Sequence, residues 1–207
     1  GKYDLGKTCL TKISGNNISL IGESMEGTII VNAPDVANEG IGTTATILNT
    51  GKNTYLQDIT LQNALDYYGS GAAGRAVCLQ DKGANTICKN VRMLSYQDTY
   101  YSNANNAFYW ETSEIHGTVD FICGGGDVFF NKCLLVGESR SATGKSGEVT
   151  LTAPYTDASN TFGYVFDGCT IENRAASLNF GRAWGCRHRL AFLHTNIHHP
   201  NEIAANH

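Results

Sequence analysis

Short apolar segments with one internal spacing recur along the chain and define its predicted elements. Each has an apolar residue, a second apolar or small residue three positions later, and a third apolar residue two positions after that. Six copies are present: Leu56-x-x-Ile59-x-Leu61, Cys88-x-x-Val91-x-Met93, Trp110-x-x-Ser113-x-Ile115, Phe130-x-x-Cys133-x-Leu135, Phe166-x-x-Cys169-x-Ile171 and Phe192-x-x-Thr195-x-Ile197. Successive copies are 32, 22, 20, 36 and 26 residues apart. A period of about 20 to 22 residues with insertions is typical of a solenoid, in which each repeat forms one coil.

The residues between these segments predict strands and turns. Helical periodicity is weak, whereas β-branched and aromatic residues alternate with polar ones and 23 of the residues are glycine, which favours short strands joined by tight turns. The extra residues of the longer repeats lie in polar or glycine-rich stretches, at 66–74, 137–148 and 154–160, and predict surface loops. We therefore predict an all-β fold, a parallel β-helix. A β-sandwich also has regularly spaced short strands and is the alternative, but the repeated side-chain spacing favours the solenoid.

Composition limits the classes of protein that fit. With 207 residues and 42% hydrophobic content, the chain can bury one sizeable core, so we expect a single domain over residues 1–207. A net charge of −4 argues against a nucleic-acid-binding protein, and no apolar run approaches the length of a membrane span. Most of the cysteines lie in strand-like segments and predict buried free thiols rather than a disulfide framework: Cys9, Cys78, Cys88, Cys123, Cys133, Cys169 and Cys186.

Two aspartates occupy equivalent positions in neighbouring repeats. Asp98 lies five residues after Met93, and Asp120 lies five residues after Ile115, so the two aspartates are 22 residues apart. Adjacent strands are about 4.8 Å apart, and we expect the two carboxyl groups to stack on one face. Two carboxyl groups at that distance do not both ionise freely, so the pKa of one rises.

The charge state of this pair follows if Arg182 approaches Asp120. The arginine would keep Asp120 ionised, and Asp98 would then be the protonated partner. An ionised and a protonated carboxyl group supply the nucleophile and the general acid that acyl transfer needs. The alternative is a purely structural ladder of Asp and Asn side chains at a turn.

Three segments in this order, SYQDTYY at 95–101, HGTVDFICGGG at 116–126 and GRAWG at 181–185, resemble the pectinesterases, or pectin methylesterases. The stretches NNISLIGES at 16–24 and GRAVCL at 74–79 extend the likeness over most of the chain. The resemblance implies a right-handed parallel β-helix that removes methyl esters from the galacturonate units of pectin and releases methanol. It also implies that neither a metal nor a cofactor takes part.

The resemblance assigns a role to each matching position: Asp120 is the nucleophile, Asp98 the acid and later the base, Gln97 an oxyanion-stabilising amide, Arg182 the residue that orients the nucleophile, and Trp184 an aromatic platform for a sugar ring. Tyr100, Tyr101 and Phe121 are candidate walls of the substrate subsites, or else pack at the end of a strand.

The chain departs from the family pattern at two positions near these segments. Arg75 stands where the family usually has a second oxyanion-stabilising glutamine, and Ala183 stands where it usually has proline. Arg75 lies 22 residues before Gln97, one coil away. It could therefore donate to the same substrate oxygen, or it could pair with Asp98 or Asp120. Family members carry further chain at both ends, so we expect a truncated version whose coil ends could associate and which is otherwise a monomer.

The expected partner is methyl-esterified homogalacturonan, which implies a secreted, periplasmic or cell-surface protein. The basic residues Arg182, Arg187 and Arg189 form a local patch that could steer an anionic polymer. The alternative for Arg187 and Arg189 is an ordinary solvated turn. Two other functions fit paired carboxyl groups on a β-helix: a pectin-cleaving glycoside hydrolase, or a pectin-binding module without activity.

Overall fold

The computed structural model describes residues 1–185 and 187–204, in which the chain forms short strands and two 3₁₀ turns, Val36–Asn38 and Pro200–Glu202. The strands of the first half are β1 Lys2–Asp4, β2 Thr11–Ile13, β3 Ser19–Ile21, β4 Ile29–Asn32, β5 Ile47–Asn49, β6 Tyr55–Asn63, β7 Leu79–Asp81, β8 Thr86–Leu94, β9 Tyr100–Ser102 and β10 Ala107–Glu111. Those of the second half are β11 Glu114–Gly117, β12 Ile122–Gly124, β13 Asp127–Asn131, β14 Leu134–Gly137, β15 Glu148–Pro154, β16 Tyr164–Asp167, β17 Thr170–Asn173, β18 Ser177–Gly181, β19 Leu190–Leu193 and β20 Asn196–Ile197. No helix in the described residues is long and apolar enough to cross a membrane.

The strands form three parallel stacks that the chain visits in turn. Stack A contains β3, the first part of β6, the first part of β8, β10, β13, β16 and β19. Stack B contains β1, β4, the second parts of β6 and β8, β11, β14, β17 and β20. Stack C contains β2, β5, β7, β9, β12, β15 and β18. One pass through the three stacks makes one coil, which confirms the predicted parallel solenoid.

The six apolar segments pair with one another in the predicted register. Trp110 pairs with Cys88 on one side and with Phe130 on the other, and Ile115 pairs with Met93 and Leu135 in the same way. Their side chains point inwards and form the core. Aromatic rings continue the column, with the centroids of Phe130 and Phe166 4.4 Å apart and nearly parallel.

Between stacks A and B, one residue in each of the six coils that carry the repeated motif has a left-handed backbone. Each lies directly before the middle apolar or small residue of the repeated motif. They are Asp58 (φ 54°), Asn90 (51°), Thr112 (46°), Lys132 (53°), Gly168 (62°) and His194 (48°). A left-handed residue turns the chain sharply enough for both flanking apolar residues to face the core. Asn, Asp and Gly tolerate this conformation, whereas a β-branched residue is strained in it.

Five of the six described cysteines are buried free thiols, as predicted, and Cys9 is partly exposed. Cys186 lies outside the described residues. Buried thiols fill the core as small apolar groups.

Thr112→Asn should stabilise the fold, because it replaces an exposed β-branched residue at φ 46° with one that tolerates this backbone. We expect a gain in the free energy of unfolding of about 1 kcal/mol, measured by chemical denaturation. Thr161→Asn, at an exposed threonine outside the left-handed positions, is the control and should change little. An equal effect of both substitutions would show that backbone strain at Thr112 is not the cause.

Candidate active site

The two aspartates lie in the turns between stacks B and C, directly before β9 and β12. Tyr100 of β9 pairs with Ile122 of β12, and the backbone N–H of Asp98 donates to the carbonyl of Val119 at 3.1 Å. The side chains of Asp98 and Asp120 therefore occupy equivalent places on neighbouring coils. Both residues have a left-handed backbone, with φ of 60° and 52°.

Glycines on either side of Asp120 allow this turn to pack closely. A Cβ atom on Gly117 would overlap with Phe121 and with the carbonyl oxygen of Tyr96. Gly124 has φ of +109°, and a Cβ atom there would overlap with the carbonyl oxygen of Ser102 on the neighbouring coil. The turn that presents Asp120 thus depends on residues without side chains at these two positions.

Arg182 binds Asp120 through two hydrogen bonds, as predicted. Its Nε donates to Oδ1 at 2.8 Å, and its Nη2 donates to Oδ2. The backbone N–H of Arg182 donates to the carbonyl of Thr152 at 3.0 Å, which fixes the start of the arginine side chain. Asp120 is only 4% exposed, and a carboxylate so buried needs such a partner to remain charged.

Asp98 has a different environment. It is 5% exposed, and burial, followed by repulsion from Asp120, raises the pKa of Asp98 to about 7. The positive charges of Arg75 and Arg182 oppose this rise in pKa. The thiol of Cys123 lies 3.9 Å from Oδ1 of Asp98. Asp98 can therefore carry a proton near neutral pH beside an aspartate that is paired with arginine.

The side chains around this pair line a cavity of about 150 Å³, and six of them are predicted site residues: Arg75, Gln97, Asp98, Asp120, Arg182 and Trp184. Trp184 also lines a neighbouring groove of about 430 Å³, together with Tyr101 and Tyr155. The ring centroids of Tyr101 and Trp184 are 5.9 Å apart. The groove therefore presents aromatic surface next to the two carboxyl groups.

Two predicted subsite residues lie elsewhere. Tyr100 and Phe121 are both 0% exposed and belong to the core, so the prediction that they line the substrate site is wrong. Tyr100 packs edge-on against Trp110, with 4.8 Å between ring centroids. Side chains alternate between the two faces of a strand, so Tyr100 points inwards whereas its neighbour Tyr101 faces the groove.

Arg75 lies beside Gln97, with which it forms an isolated parallel pairing. Its guanidinium group forms an ion pair with Glu39, a residue that the sequence did not indicate. Nη1 of Arg75 donates to Oε1 of Glu39 at 2.8 Å, and the backbone N–H of Arg75 donates to Oε2 at 2.8 Å. Glu39 lies in a loop and 36 residues from Arg75, outside any repeated motif. Arg75 makes no salt bridge with Asp98 or Asp120 within the described residues.

The model of the family described as Pectinesterase matches residues 7–202. The chain belongs to the pectinesterase family. Pectinesterase A of Dickeya dadantii (strain 3937) is 32% identical over 198 residues, which cover 83% of this chain and 54% of that protein. Pectinesterase 2.1 of Solanum lycopersicum is 37% identical over 122 residues, covering 58% of this chain and 21% of that protein. The chain thus spans between about a fifth and about half of the length of these curated relatives.

Solved structures of the family have the same fold. Pectin methylesterase PemA from Erwinia chrysanthemi superposes with a TM-score of 0.81 at 27% identity, covering 96% of this chain and 69% of that one. A pectin methylesterase in complex with a hexasaccharide gives a TM-score of 0.82 at 27% identity, with the same coverage of 96% and 69%. The likeness confirms that this pectinesterase-family chain is a right-handed parallel β-helix.

The raised pKa of Asp98 predicts how stability depends on pH. A carboxyl group whose pKa is higher in the folded than in the unfolded state binds its proton more tightly when folded, so stability falls as pH rises from about 4 to about 7. Asp98→Asn removes this titration. Relative to the parent, the variant should gain on the order of 1–4 kcal/mol in unfolding free energy between about pH 4 and about pH 8.

Chemical denaturation at the two pH values measures this gain. Asp4→Asn, which changes an exposed aspartate far from the cavity, is the control and should leave the pH dependence unaltered. Parallel stability curves for Asp98→Asn and the parent would contradict the raised pKa.

Proposed function

We propose that this chain is a carboxylic ester hydrolase that removes methyl esters from galacturonate units of pectin and releases methanol. The observation that carries the proposal is the pair of buried carboxyl groups in one cavity, Asp120 paired with Arg182 and Asp98 with a raised pKa. Membership of the pectinesterase family and the likeness to a pectin methylesterase in complex with a hexasaccharide support the choice of substrate.

In the first half of the reaction, a carboxylate oxygen of Asp120 attacks the carbonyl carbon of the methyl ester. Arg182 binds both oxygens of Asp120 and orients the carboxylate, and one lone pair of the attacking oxygen remains available. The negative charge that develops on the carbonyl oxygen can accept hydrogen bonds from the amide of Gln97 and from Arg75. Asp98 gives its proton to the departing methanol oxygen, and an anhydride between Asp120 and the galacturonyl group remains.

In the second half, Asp98 is a carboxylate and acts as a base. It takes a proton from a water molecule, whose oxygen attacks the galacturonyl carbon of the anhydride. The bond to Asp120 breaks, which releases the product as a free carboxylic acid and restores the carboxylate of Asp120 and the proton of Asp98; the product acid then loses its proton to solvent. The sum is one ester and one water converted to one acid and one methanol.

The groove beside the cavity supplies a place for the polymer. Trp184 and Tyr101 offer aromatic faces on which sugar rings can stack. Arg189 contributes less than the sequence suggested, because its Nη1 donates to the backbone carbonyl oxygens of Asn160 and Thr161 and fixes that loop.

Incubating the purified chain with highly esterified pectin tests the proposal. Methanol should appear without new reducing ends. New reducing ends would indicate a glycoside hydrolase instead, and binding of pectin with neither product would indicate a module without activity.

Asp120→Asn should abolish nearly all methanol release, because the amide is a poor nucleophile, and should leave the far-UV circular dichroism spectrum unchanged. Asparagine has the same size and tolerates the left-handed backbone at this position. Asp58→Asn is the matched control, since Asp58 is also left-handed, with φ of 54°, but lies in a turn between stacks A and B. Retained turnover in Asp120→Asn would remove Asp120 from the mechanism.

Trp184→Ala should weaken binding of the polymer more than chemistry. Loss of ring stacking costs about 1 kcal/mol, which corresponds to a KM about fivefold higher with kcat little changed. Tyr3→Ala removes an aromatic ring that is 59% exposed elsewhere and serves as the control in the same steady-state measurements. A fall in kcat at constant KM would instead assign Trp184 to the transition state.

A further inference from the structure

The contact between Glu39 and Arg75 is more specific than a surface ion pair. One carboxylate bridges the backbone N–H and Nη1 of Arg75, each at 2.8 Å, so it fixes both the start and the end of the arginine side chain. The Glu39 side chain is 25% exposed, against 49% for Arg75. A half-exposed arginine alone would sample many rotamers, and the bridge removes most of that freedom.

The bridge leaves part of the guanidinium group available. Within residues 1–185 and 187–204, Arg75 donates from its backbone N–H and from Nη1, and a guanidinium group has further N–H donors on Nε and Nη2. Arg75 lines the cavity next to Gln97. Arg75 and Gln97 are therefore adjacent residues in the lining of the cavity.

The bridge also changes the electrostatic field at Asp98. The charged groups that act on Asp98 are Asp120, Arg75, Arg182 and Glu39, and the thiol of Cys123 is its near polar neighbour. An unpaired cation at Arg75 would favour the ionised form of Asp98 and so weaken it as an acid. A carboxylate bound to that cation opposes its effect on Asp98 and offsets part of it.

We propose that Glu39 is a positioning residue, which holds Arg75 at the cavity wall as a hydrogen-bond donor for the ester oxygen and offsets part of the effect of its charge on Asp98. This inference rests on the proposed ester hydrolysis. It assigns a role to a residue outside the repeated motifs and explains how arginine can replace a neutral amide here. The opposite effects of Arg75, which lowers the pKa of Asp98, and Glu39, which raises it, agree with the geometry.

Three variants test the role of Glu39: Glu39→Gln, Arg75→Gln and the double variant. Glutamine keeps an oxygen that can accept from Arg75 but has no charge, so Glu39→Gln should lower the pKa of Asp98 and move the basic limb of the kcat/KM profile to lower pH. We expect kcat/KM to fall ~3–10-fold at about pH 8 and to change little at about pH 5. Arg75→Gln should move the limb to higher pH, and the double variant should return it close to that of the parent.

Titration of the Asp98 carboxyl carbon by ¹³C NMR follows the same pKa without activity, so it separates this inference from the proposed function. If the parent releases no methanol, the proposed function fails, while the titration still tests the charge effect of Glu39. Glu26→Gln, which removes one charge from an exposed position, is the control and should not move the titration.

Three results would overturn the inference. The first is an equal loss of kcat/KM at every pH in Glu39→Gln, which would indicate a purely structural role. The second is an Asp98 titration that Glu39→Gln leaves unchanged or that Glu26→Gln moves equally. The third is a double variant whose kcat/KM profile has its basic limb at the same pH as that of Glu39→Gln.

Discussion

Parallel pairing of successive coils gives each residue fixed neighbours, about 4.8 Å above and below it along the axis. Because the register does not slip between coils, a chemical group placed on one coil is positioned relative to its counterparts on the next. The core uses this in the column of aromatic rings that includes Phe130 and Phe166. The candidate site uses it to bring Asp98 and Asp120 together although they are 22 residues apart.

Such a column would ordinarily be unfavourable for charged groups, since like charges repel at this distance. The register between coils shows how the chain limits this repulsion between stacked charges. Gln97 pairs with Arg75 and Ile122 pairs with Thr152, so the neighbours of the two aspartates along the column are the uncharged residues Ala76 and Thr150. Among the described residues this column stacks two carboxyl groups, and Arg182, which directly follows β18 two coils further on, binds that of Asp120. The remaining repulsion and burial keep the proton on Asp98.

The sequence predicted the part of this arrangement that depends on the repeat. All six apolar segments pair as their spacing indicates, because a parallel solenoid converts spacing directly into neighbours. The spacing does not say which way a side chain faces at the end of a short strand. Tyr100 and Phe121 adjoin the site in the sequence but point into the core, and no pattern in a stretch of three or four residues distinguishes them from Tyr101.

The repeat spacing also did not predict the contacts made by loops. Glu39 meets Arg75 because a segment between β4 and β5 folds against the beginning of the next coil, and nothing in the spacing of apolar residues specifies that path. The pairing matters because arginine differs from glutamine in charge as well as in its donors. With a carboxylate bound to it, the arginine supplies donors at the cavity wall while the pair is neutral overall. The electrostatic requirement of a protonated Asp98 can therefore be met with a different residue at position 75, provided that the charge is balanced from outside the coil.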